Sequence, residues 1–374
     1  MTGHAANNVP ASIAAKVGRG LYRDGAHPLG QLVTRITSEF ASGRAAPDGT
    51  RFTTFGDLDP VVTVRQNFDD LLTPGDHVSR QPTDTFYLDH DRLLRCHMTA
   101  HQTTLIREGH AAFLMVGDVF RRDEIDATHY PVFHQIDGVR VWRQEALPPA
   151  ARASREAAVA FVMEDLKATL SRMVAGVLGA GTASRWVDAY FPFTDPSLEM
   201  EVAFEGKWLE LLGCGMVRQA ILTNCGADGS VGWAFGMGVE RLAMVLHAIP
   251  DIRLFWSTDA RFLGQFAGAG APGAPLVKFR PYSKFPACYK DVTFWLPPAF
   301  HDNDLYEVVR ETAGDLVESV ARVDAFTHPK TGRTSHCYRI MYRHMDKSLT
   351  NEEVDALQAR VRAAITTTLK GELR

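Results

Sequence analysis

Residues 120–137 read FRRDEIDATHYPVFHQID. Two arginines, four carboxylates and two histidines in so short a stretch would ordinarily make a solvated loop, yet GDV before Phe120 and GVRVW after Asp137 are strand-like. The stretch therefore reads as a polar hairpin. Side chains alternate between the two faces of a strand, so Arg121 and Asp123 share a face of the first strand, and Phe133, Gln135 and Asp137 a face of the second. That face would carry a planar guanidinium fork suited to an oxyanion, an aromatic plate suited to a nucleobase, and a carboxylate with an amide suited to an ammonium. A hairpin with ordinary surface charges competes with this reading, and the stretch alone does not displace it.

A second stretch shifts the balance. Residues 234–244, AFGMGVERLAM, run strand, Gly-x-Gly, then helix, with Arg241 in the first turn. Glycine admits a ligand close to the backbone, and a helix start attracts anions. The motif is not the dinucleotide fingerprint, because Arg stands at the sixth position and no βαβ unit surrounds it. The pair is what matters: Arg121 on a hairpin and Arg241 opening a helix could hold opposite ends of a triphosphate.

Working outward, residues 28–42 and 154–178 show helical spacing, the latter with Val159, Val162, Met163, Leu166 and Leu170 on one stripe. RWVDAYFPF, SLEMEVAFE, KWLELLGCGMV and VGWAFGMG follow as strand-like runs with no helix between them. Consecutive strands of this kind predict an antiparallel sheet, so the class is α+β rather than doubly wound. Residues 267–277 form an Ala/Gly/Pro-rich linker. The chain of 374 residues thus divides into a tail (1–26), a large domain (27–266) and a smaller one (278–374). From residue 278 onward there are 15 Lys and Arg against 13 Asp and Glu, whereas the remainder holds 25 against 31, so the smaller domain is the basic one. Five cysteines without Cys-x-x-Cys spacing argue for a reducing compartment and against a structural zinc site. No apolar run approaches the roughly 20 residues of a membrane span. Residues 1–23 lack acids and carry Lys16, Arg19 and Arg23; they read as a frayed tail or a leader remnant.

These motifs, in this order, resemble the class II aminoacyl-tRNA synthetases, and within them the single-chain, mitochondrial-type phenylalanyl-tRNA synthetases. FRRDEIDATHYPVFHQID is similar to that family's second signature motif and GMGVERLAM to its third. LLRCHMTAHQ, YFPFTDPSLEME and WLELLGCGM resemble its substrate-pocket segments. KFPACYKDVTFWLP and HPKTGRTSHCYRIMYRHM resemble its ferredoxin-like anticodon-binding domain. The resemblance runs from His27 to the last residue. It implies a class II antiparallel sheet flanked by helices, ATP and Mg²⁺ as cofactors, L-phenylalanine and tRNA(Phe) as substrates, a monomer, and the mitochondrial matrix. By residue, it implies Arg121 on the α-phosphate, Arg241 on the γ-phosphate, Phe133 stacked on adenine, and Asp123, Thr128, His129 and Tyr130 beside the nucleotide. Glu210 would hold Mg²⁺. Gln135 and Asp137, with Ile136 between them, would bind the phenylalanine ammonium. His97 and Thr99 would lie around its carboxylate, Ala100, His101 and Gln102 would join the phenylalanine-binding residues, and Phe191, Phe193, Ala234 and Phe235 would wall the phenyl pocket. Asp123 and Asp137 stand where Glu is common, keeping the charge and shortening the reach.

Other readings are weaker. His97 and His101 are four apart, but no Glu follows the first and no third metal ligand is evident. Cys96 and Cys214 read as buried apolar thiols. In the smaller domain, a strand at 291–296, a helix at 304–321, strands around HPKTGRT and a capped helix from Thr350 fit a split βαβ sandwich. CYRIMYR alternates, with Tyr338, Ile340 and Tyr342 on one face. The helix stripe is Val354, Leu357, Val361 and Leu369. Lys330, Arg333, Arg339 and Arg343 are the expected tRNA contacts. A linker this loose suggests that the smaller domain swings. The alternative function is a non-catalytic, synthetase-like regulator that binds tRNA or an amino acid. It would be expected to have lost Arg121 or Arg241, and both are present.

Overall fold

The computed structural model describes residues 7–204, 206–267, 277–281, 285–344 and 347–374, so most of the expected linker lies outside the described residues. Among the described residues the strands are β1 (Thr53–Phe55), β2 (Val61–Thr63), β3 (Arg92–Leu94), β4 (Ala112–Phe120), β5 (Val132–Arg143), β6 (Ser184–Ala189), β7 (Thr194–Phe204), β8 (Lys207–Val217), β9 (Ser230–Gly238), β10 (Cys288–Trp295), β11 (Val317–Thr327), β12 (Thr334–Tyr342) and β13 (Glu372–Leu373).

The polar hairpin sits in the middle of a seven-stranded sheet of order β1-β4-β5-β9-β8-β7-β6. Every neighbouring pair is antiparallel except β1–β4. The α+β expectation is met, and the sheet has two unlike faces. Three helices cover one of them. Pro28–Ala41 starts with proline in its first turn and with His27 accepting from the Leu29 amide, then buries Leu29, Leu32, Ile36 and Phe40. Arg155–Leu178 is capped by Ser154 and turns Val162, Leu166 and Leu170 inward. Val239–His247 completes the layer. Arg140 of β5 is tied to it by two bonds to Asp165, 2.9 and 3.1 Å, and the Trp233 indole donates to the same carboxylate at 2.8 Å. The other face, left open toward the short helices at 98–107 and 219–224, holds the site.

The C-terminal unit has sheet order β11-β12-β10-β13, the 2-3-1-4 arrangement of a ferredoxin-like fold. Tyr338, Ile340 and Tyr342 all point into its core, as the alternation predicts. The Thr350 capping box forms, with Glu353 donating its amide to Thr350 Oγ1 and accepting from the Thr350 amide. Two expectations need correction. The helix predicted over 304–321 spans Asp302–Ala313, because Gly314 at φ 58° breaks it and the valine-rich residues beyond form β11. Leu369 lies past the end of the last helix, Asn351–Thr367, and Ile365 fills the core position instead.

The two units touch directly. Arg122 pairs with Asp304 at 3.1 Å, and Arg310 donates to the Asp123 carbonyl at 2.8 Å. Ile125 is buried in the C-terminal core, where its carbonyl accepts from the Val320 amide at 2.9 Å.

Candidate active site

A cavity of about 750 Å³ opens on the uncovered face of the large sheet. That volume suits a small-molecule site rather than a packing defect. Its floor follows from strand register. Gln135 lies opposite Gly238, Asp137 opposite Gly236, and Val139 opposite Ala234. With period two, Phe133, Gln135 and Asp137 face the cavity while His134 and Ile136 face the helices. Glycines opposite Gln135 and Asp137 leave the room above them. A Cβ at Gly236 would lie 3.0 Å from Asp137 Oδ1, and one at Gly213 of β8 would lie 2.6 Å from the Phe191 ring.

At one end Arg121 follows directly on β4. Its Nε donates to the Cys96 carbonyl at 2.9 Å, and its guanidinium stands 5.1 Å from the Phe133 ring centroid. The loop after it is pinned by Asp126, whose Oδ1 accepts from the Thr128 and His129 amides at 2.6 and 2.8 Å. His129 Nδ1 meets Asp126 Oδ2 at 2.8 Å. Burial disfavours charge on this imidazole, but that bond and the Asp123, Asp126 and Glu124 carboxylates outweigh it and raise its pKa. Across the cavity Arg241 reaches Glu210 at 3.3 Å, both side chains half exposed. Such a pair contributes little in water, so an incoming phosphate can displace it at small cost.

Deeper in, Asp137 is 2% exposed. Its Oδ2 accepts from Thr99 Oγ1 at 2.6 Å, while its buried Oδ1 has no partner among the described residues. Burial lifts its pKa to about 6, against the pull of Thr99 and Arg121. His97 is held down at about 3 by burial, then by Arg121 and His101, so its ring is neutral. Gln135 Oε1 accepts from the Met98 amide at 3.3 Å. Phe191 and Phe193 stack with centroids 5.8 Å apart and planes 10° apart, walling the far end with Ala234.

Arg121 and Arg241, an aromatic plate, and a lone buried carboxylate thus share one cavity. The family model of the tRNA synthetases class II core domain (F) matches residues 19–266, and that of the ferredoxin-fold anticodon binding domain matches residues 283–374. The chain is 51% identical over 368 residues to the chloroplastic/mitochondrial phenylalanine–tRNA ligase of Arabidopsis thaliana, covering 98% of this chain and 83% of that one. It is 47% identical over 378 residues to the mitochondrial phenylalanine–tRNA ligase of Mus musculus, covering 96% and 83%. Against the mitochondrial enzyme of Saccharomyces cerevisiae the identity is 38% over 440 residues, covering 98% and 92%. The chain belongs to the mitochondrial-type phenylalanine–tRNA ligases.

Within this ligase the expected residues fall into three groups. Arg121, Asp123, Thr128, His129, Tyr130, Phe133, Gln135, Asp137, His97, Thr99, Gln102, Phe191, Phe193, Glu210, Ala234 and Arg241 line the cavity. Phe235 borders it as well, but its ring lies on the helix side of the sheet, stacked on Phe40 at 5.7 Å. Ala100, His101 and Ile136 do not line it. Ala100 packs with Val62, Phe68 and Leu93, and Ile136 lies in the core under the helices. His101 Nε2 meets Arg95 Nη1 at 3.0 Å, and burial followed by Arg95 lowers its pKa to about 4. Cys96, Cys214 and Cys225 are buried thiols, as expected of the first two, and burial raises the pKa of each.

Sequence reasoning passed over Glu199, whose pKa is raised by burial and by the neighbouring Glu210 and Glu201 carboxylates. Its signal was Glu-x-Glu on a strand, two carboxylates on one face. It also passed over Gly213, signalled by Gly-x-Gly in LLGCGM, where a strand face is emptied twice in succession.

Proposed function

We propose that this chain activates L-phenylalanine with ATP and transfers it to tRNA(Phe) for organellar translation. Asp137 carries the reading. A buried oxygen with no protein partner among the described residues is costly, and an ammonium group would satisfy it while the stacked Phe191 and Phe193 receive a phenyl ring. Thr99, bonded to Asp137, orients that carboxylate rather than meeting the amino acid's own. Neutral His97 and Gln102, whose buried Oε1 also lacks a partner among the described residues, border the same end.

ATP would lie between the two arginines, with adenine on Phe133, the α-phosphate on Arg121 and the γ-phosphate on Arg241. His129 would reach the phosphates from its loop. For Mg²⁺, Glu210 with Glu199 offers hard oxygen donors whose mutual repulsion a cation relieves. A bound Mg²⁺ there would neutralise phosphate charge. Activation needs no proton-transferring residue. The amino acid's carboxylate attacks the α-phosphorus in line and pyrophosphate departs; a ribose hydroxyl of the tRNA terminus then attacks the adenylate's carbonyl carbon, the acyl–phosphate bond breaks, and AMP leaves as its phosphate takes the hydroxyl proton. Catalysis is positioning and charge stabilisation by Arg121 and Arg241.

We read the ligase as a monomer with both domains on one chain, acting in the organelle for which its relatives are named. Pyrophosphate exchange into ATP, run with each standard amino acid and no tRNA, tests the reading. Stimulation by phenylalanine, weakly by tyrosine and by nothing else, is expected. No exchange with any amino acid would overturn it in favour of a tRNA-binding regulator.

A further inference from the structure

Six Phe and Tyr side chains border the active-site cavity, and five of them are accounted for. Phe133 faces the nucleotide end, Phe191 and Phe193 stack at the phenyl end, and Phe235 turns to the helices. Tyr130 is buried and stacked on Trp256, with centroids 5.8 Å apart. The sixth, Tyr190, is 74% exposed, and among the described residues neither its ring nor its hydroxyl has a partner. A single exposed ring needs no explanation by itself; this one is marked by where it is held. Tyr190 stands in the turn between β6, which ends at Ala189, and β7, which begins at Thr194. The next ring, Phe191, is seated over Gly213, where a Cβ would come within 2.6 Å of it. The Phe193 carbonyl accepts from the Arg218 amide at 3.1 Å. The turn is thus fixed from behind, and the phenol is kept at the rim, beside the wall of the phenyl pocket.

The second half of the proposed reaction brings a ribose hydroxyl of the tRNA terminus to the adenylate's carbonyl carbon. The base on that ribose needs a seat at the mouth, because the adenylate occupies the deeper space. The Lys and Arg side chains lining the cavity are Arg121, Arg122 and Arg241. The first and last serve the nucleotide, and Arg122 is paired with Asp304. The tRNA contacts expected from the sequence, Lys330, Arg333, Arg339 and Arg343, belong to the C-terminal unit and do not line the cavity. Three of them are paired within that unit, Arg333 with Glu372, Arg339 with Asp291 and Arg343 with Glu318. What the mouth offers a terminal nucleotide is therefore a π face, on which any base can stack without hydrogen-bond readout. We propose that Tyr190 stacks the 3′-terminal base of the tRNA and so sets the terminal ribose over the adenylate. This assignment rests on the ligase reading. A ring that folded down over bound phenylalanine would instead act in the activation step, before tRNA arrives, and the two roles separate there.

The test uses the full chain and tRNA(Phe) transcript. Tyr190→Ala should leave phenylalanine-dependent pyrophosphate exchange without tRNA within twofold of the parent, in kcat and in both KM values, which also shows that the variant is folded. Transfer from preformed phenylalanyl-adenylate to tRNA(Phe), followed in a single turnover at subsaturating tRNA, should slow between about fivefold and 100-fold, the range of losing one stacked base. Tyr190→Phe should transfer at close to the parent rate, because stacking needs the ring face and not the hydroxyl. With a tRNA that ends in an abasic ribose, the parent should slow by the same factor as the alanine variant does with intact tRNA. Tyr190→Ala should lose nothing further on that substrate, since both changes remove one contact. The proposal is overturned if Tyr190→Ala transfers within twofold of the parent, or if its effect adds in full to that of the abasic terminus. It is equally overturned if the variant raises the KM for phenylalanine in exchange, as loss of a lid would. If the parent itself shows no exchange with phenylalanine, the ligase reading falls and takes this assignment with it.

Discussion

At Asp137, burial and function pull in opposite directions. A carboxylate buried with one oxygen unpartnered holds its proton more tightly than in the unfolded chain, and here the pKa rises to about 6. The ionised form therefore costs stability above that pH, a cost relieved as the pH falls through 6. An ammonium ligand needs the ionised form. The KM for phenylalanine in pyrophosphate exchange is thus expected to climb as the pH drops below about 6, with the KM for ATP changing less. Asp137→Asn should raise the phenylalanine KM roughly 10- to 100-fold, the range for a hydrogen bond to a charged group, and should flatten that pH dependence. A parent KM that is level from pH 7 to 5 would argue against Asp137 as the ammonium seat. At the other end of the cavity, Ala234→Gly should open space beyond the phenyl ring and admit para-chlorophenylalanine; an unchanged preference would show that Ala234 does not bound it. The sequence made Phe133, Gln135 and Asp137 legible because period two fixes their face. The same rule forbids Ala234 and Phe235 from both facing the cavity, and the ring of Phe235 is indeed turned away. The Thr99–Asp137 bond was not legible, since its partners are 38 residues apart and meet only through the fold.

Elements of the site are held from behind. His134, on the buried side of β5, bonds Glu240 Oε1 at 2.6 Å, and its amide donates to Glu240 Oε2 at 2.9 Å. Glu240 immediately precedes Arg241 on the helix Val239–His247, so this tie sets where that arginine starts. Burial opposes charge on His134, but Glu240 and Asp118 outweigh it and raise the pKa. A histidine with a raised folded pKa contributes stability fully below its ordinary value of 6.5 and loses it as the pH climbs through the folded value. The melting temperature of the parent should therefore fall on the alkaline side of neutrality. Glu240→Gln should lower it at neutral pH, by a loss of about 3–5 kcal/mol, and remove that alkaline decline. On the open side, Gly213→Ala would drive a methyl into the Phe191 ring. The expected result is a weaker KM for phenylalanine, about tenfold, with the KM for ATP retained; equal losses in both would point to a general collapse of β8 rather than a displaced wall. Antiparallel pairing was inferred correctly, but the run of strands is not free of helices: Gln219–Asn224 is a short helix between β8 and β9, which still pair antiparallel. The helix assigned to 304–321 was too long because apolar spacing continues through Gly314 into β11, and periodicity over so few residues does not separate a helix end from a strand start.

At the scale of the molecule, the loop that would clasp ATP is also the loop on which the C-terminal unit rests. Arg122 and Asp123 border the cavity, yet Arg122 pairs with Asp304, and the Asp123 carbonyl accepts from Arg310. Arg310 is buried deeply enough that its pKa is lowered, although Glu307 at 3.3 Å opposes the shift. A buried guanidinium is stable only while its acceptors stay in place. Lifting the C-terminal unit off the loop would therefore break a cluster of contacts together, and the docked arrangement should behave as one of two states rather than as a loosely tethered range. The sequence suggested loose tethering because it displayed the linker but not the pairing of Arg122 and Arg310 across it. Scattering from the free protein should fit a docked, compact particle. Asp304→Ala with Asn303→Ala removes an ion pair and the Asn303 bonds to the Thr83 and Arg122 carbonyls while leaving the cavity residues intact. That variant should show a larger radius of gyration without tRNA. If tRNA engages the extended state, the same variant should also bind tRNA more tightly than the parent, since part of the cost of undocking is removed in advance. A variant that expands but binds tRNA no better would mean that the docked form is itself the tRNA-binding state.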